Sequence, residues 1–246
     1  TAADVAGPTL SSSTPADDAT DVAVDANIVL TFNENVVAGT GNITLKKSSD
    51  NSTVEAMAVG GANVSISGTT ATVNPTANLE SSQGYYLQIA ATAFDDASGN
   101  SYAGINDTTT LNFTAADVVG PTMAITSTTS GVSSGAATND STINLTFTAN
   151  EAATGFVVGD ITVAGGSLSS FTAVSSTVYT ATFTPSSAGA TTIDVAGNKF
   201  TDAAGNNNSA ATQFTWTYDN VNPTLASSAP ADNATGVAVD ANIVLT

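Results

Sequence analysis

Apolar residues recur along the chain in short runs that alternate with polar ones. In Asn27-Ile28-Val29-Leu30-Thr31-Phe32, the residues Ile28, Leu30 and Phe32 fall on one face of an extended strand, because side chains two apart share a face. Ile43 and Leu45 predict the next strand, and Lys46-Lys47-Ser48-Ser49-Asp50-Asn51 a polar hairpin end. Residues 54–59 and 64–66 flank Gly60-Gly61, a turn dipeptide. Ala71-Thr72-Val73 leads to Pro75, Tyr85-Tyr86-Leu87-Gln88-Ile89 is a second strong strand, and Leu111-Asn112-Phe113 closes the series after a tight loop over 95–100.

The same landmarks return in the same order. Ile143-Asn144-Leu145-Thr146-Phe147 answers Ile28 to Phe32, and Asp160-Ile161-Thr162-Val163 answers Asn42 to Leu45. Tyr179 to Pro185 answers the strand before Pro75, Ile193-Asp194-Val195 answers Leu87 to Ile89, and Phe214-Thr215-Trp216 closes the second series. The predicted core is Ile28, Leu30, Phe32, Leu87, Ile89 and Phe113, then Ile143, Leu145, Phe147, Ile161, Phe183 and Ile193.

A hexapeptide marks the joints: Asp4-Val5-Ala6-Gly7-Pro8-Thr9, Asp117-Val118-Val119-Gly120-Pro121-Thr122 and Asp219-Asn220-Val221-Asn222-Pro223-Thr224. Proline restricts its own φ and pushes the preceding residue into an extended conformation, which suits a stiff linker. The joints predict units over 1–116 and 117–218, with 219–246 as the first two strands of a third, and loop insertions spread between them. Pro223-Thr224-Leu225 and residues 237–246 also match Pro8-Thr9-Leu10 and residues 22–31 with hardly a change, a sign of recent tandem duplication and of an internal piece of a longer array. Seven or eight short strands per unit of about 100 residues predict an all-β chain of tandem Greek-key β-sandwiches.

Composition narrows the chemistry. The formal charge is −18, with 3 Lys+Arg against 21 Asp+Glu, so nucleic acid and anionic membranes would be repelled. No run is apolar enough to span a bilayer. Histidine and cysteine are absent, which removes the usual general base, thiol chemistry and the common soft-metal ligands. Carboxylate, amide and hydroxyl oxygen remain, and these suit hard cations.

Several motifs carry a family resemblance. Pro15 to Val22, Leu30-Thr31-Phe32 and Asp96 to Asn100 resemble the bacterial Ig-like domains named after an S-layer protein. Phe156 to Val163, Gly166 with Leu168, Thr180 to Pro185 and Asp202 to Asn206 resemble a second bacterial Ig-like family found in large surface adhesins. The resemblance covers nearly the whole chain. It implies Ig-like sandwiches that act as spacers or stalks in long extracellular proteins.

The leading chemical candidates are Asp96, Asn100 and Asp117 and, one unit on, Asp202, Asn206 and Asp219, read as Ca²⁺ ligands converging on each joint. The same residues are also good turn formers, since Asp and Asn cap tight turns and Gly accepts positive φ. Asp95 beside Asp96 does not make a glycosidase pair, because neighbours on a strand point to opposite faces. Lys46, Lys47 and Lys199 are read as solvated rather than as isopeptide donors. A threonine face for ice or another surface would need T-x-T ladders over several adjacent strands, whereas Thr180-Ala181-Thr182 and Thr108-Thr109-Thr110 stand alone in the sequence. The expected protein is a non-enzymatic extracellular stalk whose partners are neighbouring repeats and other copies in a fibre. A carbohydrate- or surface-binding module and a self-assembling filament or S-layer subunit are the alternatives.

Overall fold

The first unit's strands, in the computed structural model, are β1 (Leu10–Thr14), β2 (Ala19–Val22), β3 (Ile28–Phe32), β4 (Val37–Ala38), β5 (Asn42–Lys47), β6 (Thr53–Ala58), β7 (Val64–Ser67), β8 (Thr70–Val73), β9 (Gly84–Ile89), β10 (Phe94–Asp95) and β11 (Asn112–Ala115). The structure describes residues 4–246, divided into units Thr1–Val119 and Gly120–Thr246. One sheet of the first unit has the order β1-β3-β8-β7, the other β2-β11-β9-β5-β6, and β4 pairs with β10. Pro15 ends β1, and the chain then crosses so that β2 lies parallel to β11 on the opposite sheet. The remaining pairs within these sheets are antiparallel.

The second unit contains β12 (Met123–Ser127), β13 (Ala136–Thr138), β14 (Ile143–Ala149), β15 (Ile161–Ala164), β16 (Gly166–Ala173), β17 (Val178–Pro185), β18 (Gly189–Val195) and β19 (Phe214–Tyr218). Its sheets run β12-β14-β17-β16 and β13-β19-β18-β15, matching the two large sheets of the first unit strand for strand except for β6, while the β4–β10 pair is answered only by an isolated bridge between Thr154 and Thr201. That extra strand forms the Lys46 to Asn51 hairpin with β5, so part of the length difference is a whole strand rather than loop residues alone. Gly60-Gly61 then carries the chain from β6 to β7 in the other sheet.

All twelve predicted core positions are buried. In the first unit Phe32 packs against Phe94 and Tyr102, with ring centroids 4.9 and 5.3 Å away. In the second, Phe156 stands among Phe147, Phe171, Tyr179 and Phe200. The Phe-x-x-x-Asp spacing explains its placement: the backbone N–H of Val157 donates to Asp160 Oδ2 (2.9 Å), closing the short 3₁₀ turn Val158–Asp160 before β15.

The hexapeptides are more than linkers. Pro8 and Pro121 are buried. A Cβ at Gly7 would overlap the carbonyl oxygen of Ser101, and one at Gly120 that of Asn207, so only glycine admits this close approach. Thr9 and Asn33 are tied by two hydrogen bonds, Thr9 N–H to Asn33 Oδ1 (2.7 Å) and Asn33 N–H to the Thr9 carbonyl (3.0 Å). Thr122 and Asn150 repeat the arrangement at 2.7 and 3.2 Å. Each Gly-Pro-Thr is therefore the first packed element of the unit that follows it.

Residues 219–246 contain the strands β20 (Ser228–Ala229) and β21 (Val244–Leu245). They pair Ser228 with Leu245 and Ala229 with Val244, the register of Ser13 with Leu30 and Thr14 with Val29 in β1 and β3. The matching side chains differ sharply in environment: Leu30 is 0% and Ile28 1% exposed, Leu245 66% and Ile243 77%.

The threonine positions also differ from the sequence expectation. Register sets Thr126, Thr146, Thr180 and Thr172 side by side across β12, β14, β17 and β16. Asn144, Thr182 and Ser169 form the next row. Thr180-Ala181-Thr182 thus belongs to a ladder assembled from strands distant in sequence, while Thr108-Thr109-Thr110 lies outside the strands.

Candidate metal centres

The Asp-x-x-Gly-Asn loop is built by its aspartate. Asp96 is 3% exposed, and its Oδ1 accepts the backbone N–H groups of Ser98 and Asn100 (both 2.8 Å) while Oδ2 accepts Asn100 Nδ2 (2.7 Å). Gly99 takes φ +85°, which a side chain would oppose. Asp202 and Asn206 repeat the loop, with bonds of 2.8 Å to each carboxylate oxygen and Gly205 at φ +92°.

These bonds hold both carboxyls below the usual carboxylate range. For Asp96 the Asn100 side chain is the largest cause, and it outweighs desolvation. For Asp202 desolvation is the largest single effect and pushes upward, but the Asn206 side chain and the backbone donors of 204–206 together prevail. Both groups stay ionised, which a cation requires.

Two acidic sets result: Asp4 with Glu34 and Asp96, and Asp117 with Glu151 and Asp202, the ligand oxygens of each set lying within 4.8 Å of one another. Ca²⁺ takes about six to eight oxygens at ~2.3–2.6 Å, so oxygens on opposite sides of one ion stand at about this separation. The Asp4 carbonyl is close by, accepting Asn100 Nδ2 at 3.2 Å. Asp96 Oδ1 already accepts two hydrogen bonds, but Oδ2 accepts one and keeps a lone pair. The residues thus fit a hard divalent cation as far as donor type and spacing go.

The grouping is shifted by one joint from the sequence expectation. Asp96 and Asn100 meet Asp4, of the joint before them, and Asp117 is set with Asp202 instead. A final strand, β11, lies between the Asp96 loop and Asp117. One strand carries the chain from one end of a sandwich to the other, so the loop belongs with the incoming joint. Asp219 is in neither set; its N–H donates to the Thr138 carbonyl (2.9 Å) and its Oδ1 accepts Val221 N–H (3.0 Å). Glu34 and Glu151 were missed. Their signal was present as Asn33-Glu34 and Asn150-Glu151 directly after the strands ending at Phe32 and Ala149, but only folding brings them to the loop.

The other sequence candidates stay apart from these sets. Ser101 Oγ donates to Asp95 Oδ1 (2.5 Å) in the β4–β10 region, and Lys199 is exposed. Of two depressions on the first unit, one is lined by Val24, Asn63, Asn74 and Thr76 among others, and the second has Tyr102 as its aromatic residue. Neither gathers an aromatic platform for a sugar ring.

Comparison with family models decides the family. Residues 4–115 and residues 117–218 each match a model described as a bacterial Ig-like domain. The chain is a tandem of two bacterial Ig-like domains. Comparison with curated proteins gives no match. Solved structures that the chain matches include the N-terminal part of the bacterial S-layer protein SbsC (15% identity, TM-score 0.32, covering 86% of this chain and 44% of that one). Yersinia pseudotuberculosis InvD is similar at 18% identity and TM-score 0.29, over 88% of this chain and 60% of that one. A titin Ig tandem gives 9% identity and TM-score 0.27, over 86% and 95%. The chain spans about half the length of the S-layer chains it matches. Among the described residues, no helix is long and apolar enough to cross a membrane.

Proposed function

We propose that these bacterial Ig-like domains form a spacer segment of a long extracellular surface fibre or adhesin, without catalytic activity, and that calcium stiffens it. The observation that carries this reading is the repeated constellation of Gly-Pro-Thr, Asn-Glu and Asp-x-x-Gly-Asn, which ties each domain's entry segment to its own body. An ion held by Asp4, Glu34 and Asp96 would fasten that segment and relieve repulsion among three carboxylates. The Asp117, Glu151 and Asp202 set would do the same. Residues 219–246 repeat the opening strands of the first domain in sequence and in register.

Extracellular modules bind calcium at about 10⁻⁴–10⁻³ M, so millimolar external calcium would fill such sites. Binding to the folded state alone would add about 2.7 kcal/mol at a hundredfold excess over Kd. The test is thermal unfolding and small-angle scattering of the chain with calcium and with chelator. A higher melting temperature and a larger maximum dimension with calcium are expected. Identical values in both would reduce the acidic loops to ordinary turns and leave a spacer without a calcium switch.

A further inference from the structure

One sheet in each domain turns a charge-free, hydroxyl-rich face to solvent. In the second domain the rows across β12, β14, β17 and β16 are Thr126-Thr146-Thr180-Thr172, flanked by Asn144-Thr182-Ser169 on one side and Ala124-Thr148-Val178 on the other. Thr184 and Ser167 extend it by a further row. All of these positions are exposed or half-exposed, and none is acidic, basic or aromatic. Among the described residues, the hydroxyls of Thr146, Thr148 and Thr180 bond to no protein group and are left to solvent.

The first domain repeats the device on the equivalent sheet. Ser12-Thr31-Thr70-Ser67 and Thr14-Val29-Thr72-Ser65 are its two rows across β1, β3, β8 and β7. Threonine suits any solvent-facing strand, so its presence alone says little. The segregation says more. In both domains the opposite sheet does carry outward charge, with Lys46 over the Tyr86 ring in the first and half-exposed Asp194 in the second. A chain with 21 Asp+Glu keeps this one sheet clear in both domains.

The chemistry of the face selects its occupant. Backbone positions in such a sheet repeat at about 4.8 Å between strands and about 6.7 Å between alternate residues along them, so outward hydroxyls in neighbouring rows form a regular grid that an ordered array of water oxygens can meet. The threonine methyls between them order adjacent water, while no ionic group holds a hydration shell that a crystal would reject. Anionic surfaces are repelled by the −18 charge, and so is a second copy of the chain. A polysaccharide would find no aromatic ring on the face to stack on. We propose that the outward face of the β12-β14-β17-β16 sheet binds crystalline ice, with the β1-β3-β8-β7 face a smaller site of the same kind. Sheet twist of roughly 20–25° per strand confines the coplanar part to β14, β17 and their flanks, so each face holds weakly.

The test is uptake of the full chain into a slowly grown ice hemisphere, beside Thr146→Lys, Thr180→Lys and an inert acidic protein of similar size. The expected result is several-fold enrichment of the native chain over the inert protein, with both lysine variants closer to background and melting temperatures unchanged. Thr148→Lys, at an exposed position, reads the same face should a central lysine disturb folding. Exclusion of the native chain to the level of the inert protein overturns the proposal. Retention on crystalline cellulose without uptake into ice overturns it too, and identifies a polysaccharide surface instead.

Discussion

At the scale of single residues, small geometric facts carry the fold's joints. Gly120 lies against the Asn207 carbonyl, a backbone atom that cannot swing aside. Gly120→Ala should therefore cost the second domain about 1–3 kcal/mol, while the first domain's melting transition stays in place. Asp96 and Asp107 report on pH. The Asp107 carboxyl is held below its ordinary range mainly by the Thr109 N–H, with help from Thr110, as Asp96 is by Asn100. A carboxylate whose folded pKa lies below its unfolded one stabilises the fold above the unfolded value, and that contribution disappears as pH falls through the folded value. The unfolded value is about 3.9. In chelator, the melting temperature should hold level from neutrality to about pH 5 and decline on further acidification below about pH 4. Asp96→Asn and Asp107→Asn should each flatten that decline; an unchanged acid profile in both variants would mean these hydrogen bonds are not formed in solution.

At the scale of elements, strand register explains both stability and the surface. Phe32 and Phe147 are 2% and 0% exposed, each on the second strand of its own sheet. Phe32→Ala should lower the first domain's stability by about 3–5 kcal/mol and leave the second domain's transition unmoved, with Phe147→Ala giving the mirror result. Calorimetry resolving the two transitions would show it. The β20–β21 hairpin has none of this support: two strands bury little, and Leu225, Ile243 and Leu245 are exposed. Its amides at Ala226 and Thr246 should exchange with solvent far faster than those of Leu145 and Phe147, although all are hydrogen-bonded. Equal protection would show that something covers the hairpin.

At the scale of the whole molecule, a chain with few positive charges and repeated acidic loops is one whose behaviour should follow divalent cations. Glu34→Gln with Asp4→Asn removes two of three carboxylates from the first set without touching the Asp96 loop. In chelator this pair should leave the melting temperature unchanged or higher, since repulsion falls; with millimolar calcium the gain shown by the native chain should shrink. The sequence alone determined the all-β class, the two domains, the twelve core residues and the tight Asp-Asn loops. Each of these follows from local rules: a period of two selects strands and their inner face, and Asp, Gly and Asn within five residues close a turn. Tertiary structure decided what depends on which strands become neighbours. It paired Asp96 with Asp4 rather than Asp117, because β11 separates the loop from the outgoing joint by the length of the sandwich. It brought Glu34 to the loop from sixty residues away, and lined up threonines from four strands whose adjacency no local pattern encodes. Strand neighbours are set by burial of the common core, and that is a property of the whole domain rather than of any stretch within it.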